Sequence, residues 1–458
     1  MRKTLFLSSA IAIVLLSAIP AGAQTSTSTE EGLSSANQAL LARIEKLEAE
    51  LVALRASVQQ SAQTASAAKA TAQSAVKTVS TVQKLAKVGA AGAYSGAPSD
   101  AKWHLAGYAD VGFVGGDMPG PDSFVTGKFN PGFHFQYKDL LIFESELEFS
   151  TTSDGETTTE LEYSQFDIPI NDYVTLVAGK YLSPIGQFQE RLHPSWINRI
   201  QGAPAGFGHD GVQPTSDTGV QLRGTVPVGN TRFTYAVALG NGPQTTFEGG
   251  VKLEGVSKDN NSNKSLGGRI GFFALPYLEL GGSYLTGKVS GYAPPVGHEE
   301  TPVTLAADVP VGSSAQDQAR YTLWGMDAAY TKGALAARFE YLNSHRGAFF
   351  SPTADDPAGV FLPRLGMKAW YGQVSYRMSN VGSSDFIHNL EPVVRYGQFR
   401  ITGHDVLREE NAQDRFNLGL NYWLAPTIVT KAGLEWRDFR VAGVPSETLY
   451  QFQIAYGF

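Results

Sequence analysis

The chain contains no cysteine. Disulfide frameworks, thiolate zinc sites and cysteine nucleophiles are therefore excluded. It is also short of charge: Asp, Glu, Lys and Arg make up 17% of its 458 residues, against roughly 25% in ordinary soluble domains. Positive charge is in deficit, with 36 Lys and Arg against 43 Asp and Glu and a formal net charge of −7. That balance excludes a strongly basic nucleic-acid binder. Beyond the first twenty residues, no stretch is apolar enough to make a membrane-spanning helix. What the chain does have is 49 Gly and an aromatic set of 25 Phe, 19 Tyr and 6 Trp, within an apolar content of only 42%. Few charges, much glycine and many aromatics without an apolar excess point to numerous strands, each with one polar face.

The first residues set the compartment. Arg2 and Lys3 form a basic start, Thr4 to Ile19 an apolar run, Pro20 a break, and Ala21-Gly22-Ala23 a small-residue cleavage site. Residues 1–23 read as a secretory signal peptide. An uncleaved anchor fits less well, because the apolar run is short and its far flank suits a peptidase.

Residues 24–88 read as a coiled-coil oligomerisation segment. From Leu33 to Ala86 there is neither Pro nor Gly. Leu40, Leu47, Leu54, Ser61, Ala68, Ala75 and Val82 recur every seven residues, as do Ile44, Leu51, Val58, Ala65, Ala72, Val79 and Ala86. These are the d and a positions of a sustained heptad, and the helix they specify is about 80 Å long at about 1.5 Å per residue. Gly89, Gly92, Gly96 and Pro98 turn residues 89–101 into a flexible linker.

From residue 102 onward the pattern changes to strict alternation, the mark of half-exposed strands. Tyr450, Phe452, Ile454, Tyr456 and Phe458 share one face, with Gln451, Gln453, Ala455 and Gly457 on the other. Leu141, Phe143, Leu147 and Phe149 alternate with Glu144, Glu146 and Glu148. Sixteen such runs are predicted, near 102–113, 127–138, 140–150, 157–168, 172–181, 217–227, 231–241, 263–274, 276–287, 320–331, 334–344, 366–377, 386–399, 414–423, 427–437 and 446–458. Most approach the roughly 9–11 residues that a tilted strand needs to cross a bilayer.

The connections alternate tight turns, such as Lys138-Asp139 and Lys332-Gly333, with long loops, such as 181–216, 242–262 and 288–319. An even strand count with this asymmetry predicts an all-β, 16-stranded antiparallel transmembrane β-barrel over residues 102–458, with turns periplasmic and loops outside. A soluble β-sandwich explains neither the strand length nor the one-sided loops, and it leaves too many aromatics on a wet face.

The run Tyr450 to Phe458 resembles the C-terminal assembly signal of outer-membrane β-barrels, with Tyr456 and Phe458 as its last aromatic positions. The strand count and the long third loop resemble the trimeric porins. The segment Gly179-Lys-Tyr-Leu-Ser-Pro-Ile-Gly-Gln-Phe-Gln-Glu-Arg-Leu-His-Pro194 is similar to the strand-to-loop passage of the phosphate-selective O and P type. A coiled coil before the barrel is similar to that of some sugar- and dicarboxylate-uptake porins. The resemblance implies a homotrimer with the third loop folded into each pore. The heptads by themselves, Ile or Val at a and Leu at d, nominally favour two strands. The dense Arg and Lys ladder of the phosphate-selective members is not traceable in this sequence.

The polar phase of each strand would face the lumen. It supplies Glu144, Glu146, Glu148, Glu160 and Glu162 as an acidic wall, and Arg338, Arg377, Arg395, Arg415, Lys431 and Arg437 from strands eleven to fifteen. The third loop adds Arg191, His193, Arg199 and His209, while Phe188, Trp196, Ile197 and Phe207 are apolar enough to pin it to the inner wall. Walls of opposite sign in a narrow pore make a transverse field suited to small zwitterionic or dipolar solutes. Adjacent glutamates repel, so basic neighbours or bound cations are expected beside them.

No catalytic residue, cofactor or metal is expected. His193, Ser195 and Asp210 include the residue types of a triad, but no Gly-x-Ser-x-Gly elbow, Walker A loop or His-Glu-x-x-His is present. His298-Glu299-Glu300 reads as solvated charge. The expected function is an outer-membrane porin of a Gram-negative bacterium, passing small hydrophilic solutes, with its coiled coil in the periplasm. The alternative is a structural protein whose coil anchors or spaces the membrane. The expected partners are outer-membrane lipid, further copies of the chain, small solutes and the outer-membrane assembly machinery, with no nucleic acid.

Overall fold

The computed structural model describes residues 101–458 apart from 118–119, 210, 247–248, 292–317, 352–359 and 442. The signal peptide, the coiled coil and all but the last residue of the linker lie outside the described residues, as do Asp210 and the His298-Glu299-Glu300 run. No helix among the described residues is long and apolar enough to cross a membrane.

The alternating runs form sixteen long strands. They are β1 (Ala101–Gly116), β2 (Lys128–Tyr137), β3 (Leu141–Thr151), β4 (Thr157–Asn171), β5 (Val174–Leu182), β6 (Ser216–Val228), β7 (Thr231–Gly240) and β8 (Ser265–Leu275). Then follow β9 (Leu278–Ser290), β10 (Gln318–Lys332), β11 (Leu335–Arg346), β12 (Leu365–Tyr376), β13 (Leu390–Thr402), β14 (Gln413–Ala425), β15 (Ile428–Phe439) and β16 (Glu447–Gly457). Each strand pairs antiparallel with the next. The sheet closes where β16 pairs with β1, from Tyr108 opposite Gly457 to Gly116 opposite Leu449. Phe458 extends that seam by exchanging both backbone hydrogen bonds with Gly107. The result is a closed antiparallel barrel with no free edge, which satisfies the strands' backbone groups internally.

The connections keep the expected asymmetry. Turns at 138–140, 172–173, 229–230, 276–277, 333–334 and 426–427 leave one rim tight, joined there by the longer 377–389 connection. The other rim carries the long loops, into which are folded a small hairpin of Phe349–Ser351 with Val360–Leu362 and the helix Asp405–Asn411.

Strand alternation sorts the side chains by face. On β16, Phe452, Ile454 and Tyr456 are 55%, 52% and 44% exposed, whereas Gln451 is 9% and Ala455 0% exposed. The same sorting leaves Phe133, Val237, Leu266, Ile270, Leu280 and Leu418 outside. Buried inside are polar groups such as Asn130, Glu146, Arg269, Asp327, Glu340 and Asn421. A soluble protein has the opposite arrangement, so the external solvent that suits this barrel is hydrocarbon.

Register shifts at Phe273/Leu275, Trp423/Ala425 and Pro169/Asn171 fall next to turns, whereas one lies well inside a strand. Glu146 on β3 pairs with Tyr163 on β4, but Leu147 pairs with Leu161, which leaves Glu162 as an extra residue in a bulge. A bulge shifts the side-chain phase by one. Beyond it, the face shared with Glu146 and Glu144 continues through Tyr163 and Gln165, not through the even-numbered positions that Glu160 and Glu162 begin.

If the outer face meets lipid, Phe452→Lys at the middle of β16 should cost about 2–4 kcal/mol. Urea unfolding of the liposome-folded protein measures this, and an unchanged midpoint would contradict the assignment of faces.

Candidate functional site

The inner face of the barrel converges on one segment, residues 183–215, which joins β5 to β6. Its first contacts are with β9, β10 and β11. Gly186 N donates to Ser283 Oγ at 3.0 Å and Gln187 N to Glu340 Oε2 at 2.8 Å, while the Gln187 side-chain amide donates to Asp327 Oδ1 at 2.5 Å. Arg191 pairs with Glu279 of β9 at 2.7 Å. The segment then passes to β13 through β16. Arg199 pairs with Glu391 at 3.0 Å. Lys431 donates to the carbonyls of Ser195 and Asn198, Asn421 to that of Arg199 at 3.0 Å, Arg395 to that of Gly202 at 3.2 Å and Arg415 to that of Ala203 at 3.1 Å. These bonds satisfy main-chain groups that contact with the wall withdraws from water.

Apolar contacts reinforce the polar ones. Phe188, on the single helical turn Phe188–Leu192, and Phe207 both meet the ring of Tyr371 edge-on, at centroid distances of 6.5 and 5.0 Å. Ile185, Leu192 and Val212 join them in the main buried cluster, with Ile197 partly buried against it. Trp196 packs instead on Trp423, Val429 and Ala455. All four expected pins therefore engage the inner wall. Glu340 is the node of the arrangement, accepting from Tyr371 Oη at 2.7 Å through Oε1 and from Gln187 N through Oε2.

Two glycines permit the close approach. Gly186 has φ +72°, and a Cβ there would lie 2.4 Å from Glu340 Oε2. Gly206 has φ +78°, and a Cβ there would lie 2.6 Å from Ala369 Cβ and 2.7 Å from the Phe399 ring. No L side chain fits either position without displacing the wall or the segment.

The acidic side lies on β3 and β4 and has the basic neighbours that its own repulsion demands. Glu148 pairs with Lys128 at 2.6 Å. Asn130 donates to Glu146 at 3.0 Å and to Glu148 at 3.4 Å. Glu144 contacts His134 at 3.0 Å, and that ring stacks on His104 at 4.6 Å. Glu160, opposite Glu148 in register, is exposed. The inner segment reaches this side as well: His193 lies 3.7 Å from Glu146 and edge-on to Tyr108, and His209 lies 3.5 Å from Glu162.

His209 also sits 3.5 Å from Glu254, in the connection between β7 and β8. Hydrogen bonding to Glu162 and then to Glu254 outweighs burial and raises the imidazole to about 10. Burial pushes the Glu254 carboxyl up, but hydrogen bonds from His209 and Lys252 prevail and hold it below its ordinary range. The pair is an ionic clamp between the segment and a neighbouring loop.

The basic residues expected on the far wall divide into two groups. Arg338 of β11 reaches Gln187 Oε1 at 3.2 Å, and Arg395 and Lys431 grip the segment as described. Arg377 lies one residue beyond β12, where it donates to His388 O at 3.0 Å and sits with Arg199 over the Trp423 ring. The wall also carries its own acids. Arg269 pairs with Asp327 at 2.6 Å and Glu279 at 3.0 Å, and Arg437 with Glu435 at 2.6 Å. These partners lie in the polar phase of β8, β9, β10 and β15, but pairing among them depends on strand register. Ser195 Oγ is buried without a hydrogen-bond partner among the described residues, so it makes no hydrogen bond to His193.

No family model matches the chain, and no curated protein matches it. Among solved structures it is similar to the anion-selective porin from Comamonas acidovorans, at 13% identity over 78% of this chain and 100% of that one, with a TM-score of 0.51. It is also similar to in-vitro folded OmpT of Vibrio cholerae in its trimer form, at 11% identity over 79% and 100% and a TM-score of 0.48. A third likeness is to Salmonella typhi OmpF in complex with daunomycin, at 14% over 78% and 98% and a TM-score of 0.47. At such identities the likeness concerns the barrel fold alone.

Two outcomes follow. Gly206→Val should cost about 2–5 kcal/mol through its left-handed backbone and the overpacking it forces, and should render 183–215 sensitive to protease; unchanged resistance would contradict the pinning. The His209 contribution should be fully present below the unfolded imidazole value of roughly 6.5 and be lost as pH rises through about 10. Hydrogen exchange in 183–215 should therefore accelerate across that upper window more than base catalysis explains. His209→Gln should remove the excess.

Proposed function

We propose that residues 101–458 form a water-filled outer-membrane channel for the passive diffusion of small hydrophilic solutes, with segment 183–215 as its constriction. The observation that carries this reading is the closure of sixteen strands with apolar side chains outside and charged ones inside. A barrel of that strand number is too wide for side chains to fill and leaves an aqueous bore. The contacts of the segment with both the β9–β16 wall and the β3–β4 wall support its role as the narrowing element.

In this reading Glu144, Glu146, Glu148, Glu160 and Glu162 set the potential on one side of the bore. Arg191, His193 and Arg199 do so from the segment, and Arg338, Arg377, Arg395 and Lys431 from the opposite wall. Charges in a passage bounded by low dielectric act more strongly than in bulk water. Tyr456 and Phe458 serve as the assembly signal for the barrel machinery, consistent with the position of Phe458 at the closing seam beside Phe129. The leader directs export, the heptad segment oligomerises in the periplasm, and the working unit is a homotrimer. Passage is by diffusion, without catalysis or a cofactor.

Planar-bilayer recording tests the proposal. Insertion of the full chain should give three equal conductance steps, and no ionic current would return the protein to the structural role. Replacing Glu144, Glu146 and Glu148 together by Gln should shift the reversal potential across a salt gradient toward anion preference. An unchanged potential would remove the acidic wall from the mechanism.

A further inference from the structure

Beneath the inner segment lies a cavity of about 120 Å³ between the segment and the β11–β13 wall. Its two sides differ in chemistry. The segment contributes Phe188, Leu192 and Ile197 together with Arg199, and the wall contributes Arg338 and Arg395 among the neutral side chains of Thr331, Gln373 and Ser375. Arg199 is accounted for by its pairing with Glu391 and its place over Trp423. Among the described residues, neither of the other two guanidiniums forms an ion pair with a carboxylate. Among the described residues, Arg338 bonds to the neutral amide of Gln187. Arg395 is 1% exposed and bonds to Asn417 Oδ1 at 3.4 Å and to the Gly202 carbonyl, and its Nη1 is buried with no partner among the described residues. The nearest acids are engaged elsewhere: both oxygens of Glu340 accept from Tyr371 and Gln187, and Glu435 pairs with Arg437 and Arg415.

A buried guanidinium that is neither paired nor fully hydrogen-bonded is costly. Arginine retains its charge at any pH a protein survives, so the unmet donor of Arg395 calls for an acceptor that enters the cavity. An inorganic oxyanion would leave the apolar surface of Phe188, Leu192 and Ile197 unmatched. A carboxylate carried on an apolar body matches both sides, with its oxygens forked by Arg338 and Arg395 and its body against the segment. The volume is somewhat below that of the engineered cavity of about 150 Å³ known to take benzene, so the enclosed body is at most one ring. We propose that this cavity is a binding site for small organic carboxylates with a ring-sized apolar body, occupied in the course of permeation. This rests on the channel reading for its part in transport, but not for binding itself.

Benzoate is the probe, with inorganic phosphate and benzyl alcohol for comparison, on the full chain. In planar bilayers at constant ionic strength, benzoate should reduce and flicker the KCl current, with phosphate and benzyl alcohol at least tenfold weaker. Calorimetry on the detergent-solubilised protein should show benzoate binding with the same order of preference. Arg338→Gln and Arg395→Gln should each weaken both readouts at least tenfold. Arg338, only half-buried, decides the matter if Arg395→Gln fails to fold, as judged by heat-modifiable migration in gels. Binding without current would overturn the channel and leave the site standing. Current without benzoate binding would overturn the site and leave the channel. Phosphate binding as tightly as benzoate, or benzoate binding untouched in Arg338→Gln, would also overturn the assignment.

Discussion

Everything in this architecture follows from the demand that backbone amides and carbonyls find partners inside the chain when water is absent. Sixteen strands meet it by closing, and the closure is made where β16 returns to β1 and Phe458 exchanges two hydrogen bonds with Gly107. Once closed, alternation has only two environments to offer. Phe452 and Ile454 must face outward because Gln451 and Ala455 face in, and the same logic repeats around the wall. The charged groups are thereby concentrated in the interior.

That concentration creates the second problem, which the inner segment solves. Glu279, Asp327, Glu340, Glu391 and Glu435 are all buried or nearly so on one half of the wall. Each receives a cation, an amide or a hydroxyl from the segment or from a strand neighbour. Apolar contact then fixes the segment in register, with Phe188 and Phe207 against Tyr371. The polar contacts specify position and the aromatic ones supply burial, so neither set suffices alone.

The strands were legible because a period of two survives any tertiary context in which one face differs from the other. Predicted spans such as 231–241 and 414–423 fall within a few residues of Thr231–Gly240 and Gln413–Ala425. The failures are local and physical. The bulge at Glu162 is invisible in Glu160-Leu161-Glu162-Tyr163, because alternation continues to look intact until Gln165 and Asp167 are seen to have changed parity. The segment 183–215 announced its pins through Phe188, Trp196, Ile197 and Phe207. Its anchors are another matter. That Glu340 would receive Gln187, or Arg415 the carbonyl of Ala203, depends on how far the chain travels across the barrel, which no spacing encodes. Arg377 stands one residue past the strand end, and its contacts with the turn and the Trp423 ring depend on a strand boundary that alternation alone does not mark.

The way the wall holds residues 195–203 has an evolutionary corollary. Lys431, Asn421, Arg395 and Arg415 all grip main-chain oxygens there. Main-chain oxygens are the same whatever residue carries them. The scaffold thus holds the path of this stretch through atoms that no point substitution removes, while Trp196, Ile197 and Arg199 add side-chain contacts of their own. Inserting or deleting even one residue, by contrast, would slide every oxygen off its donor.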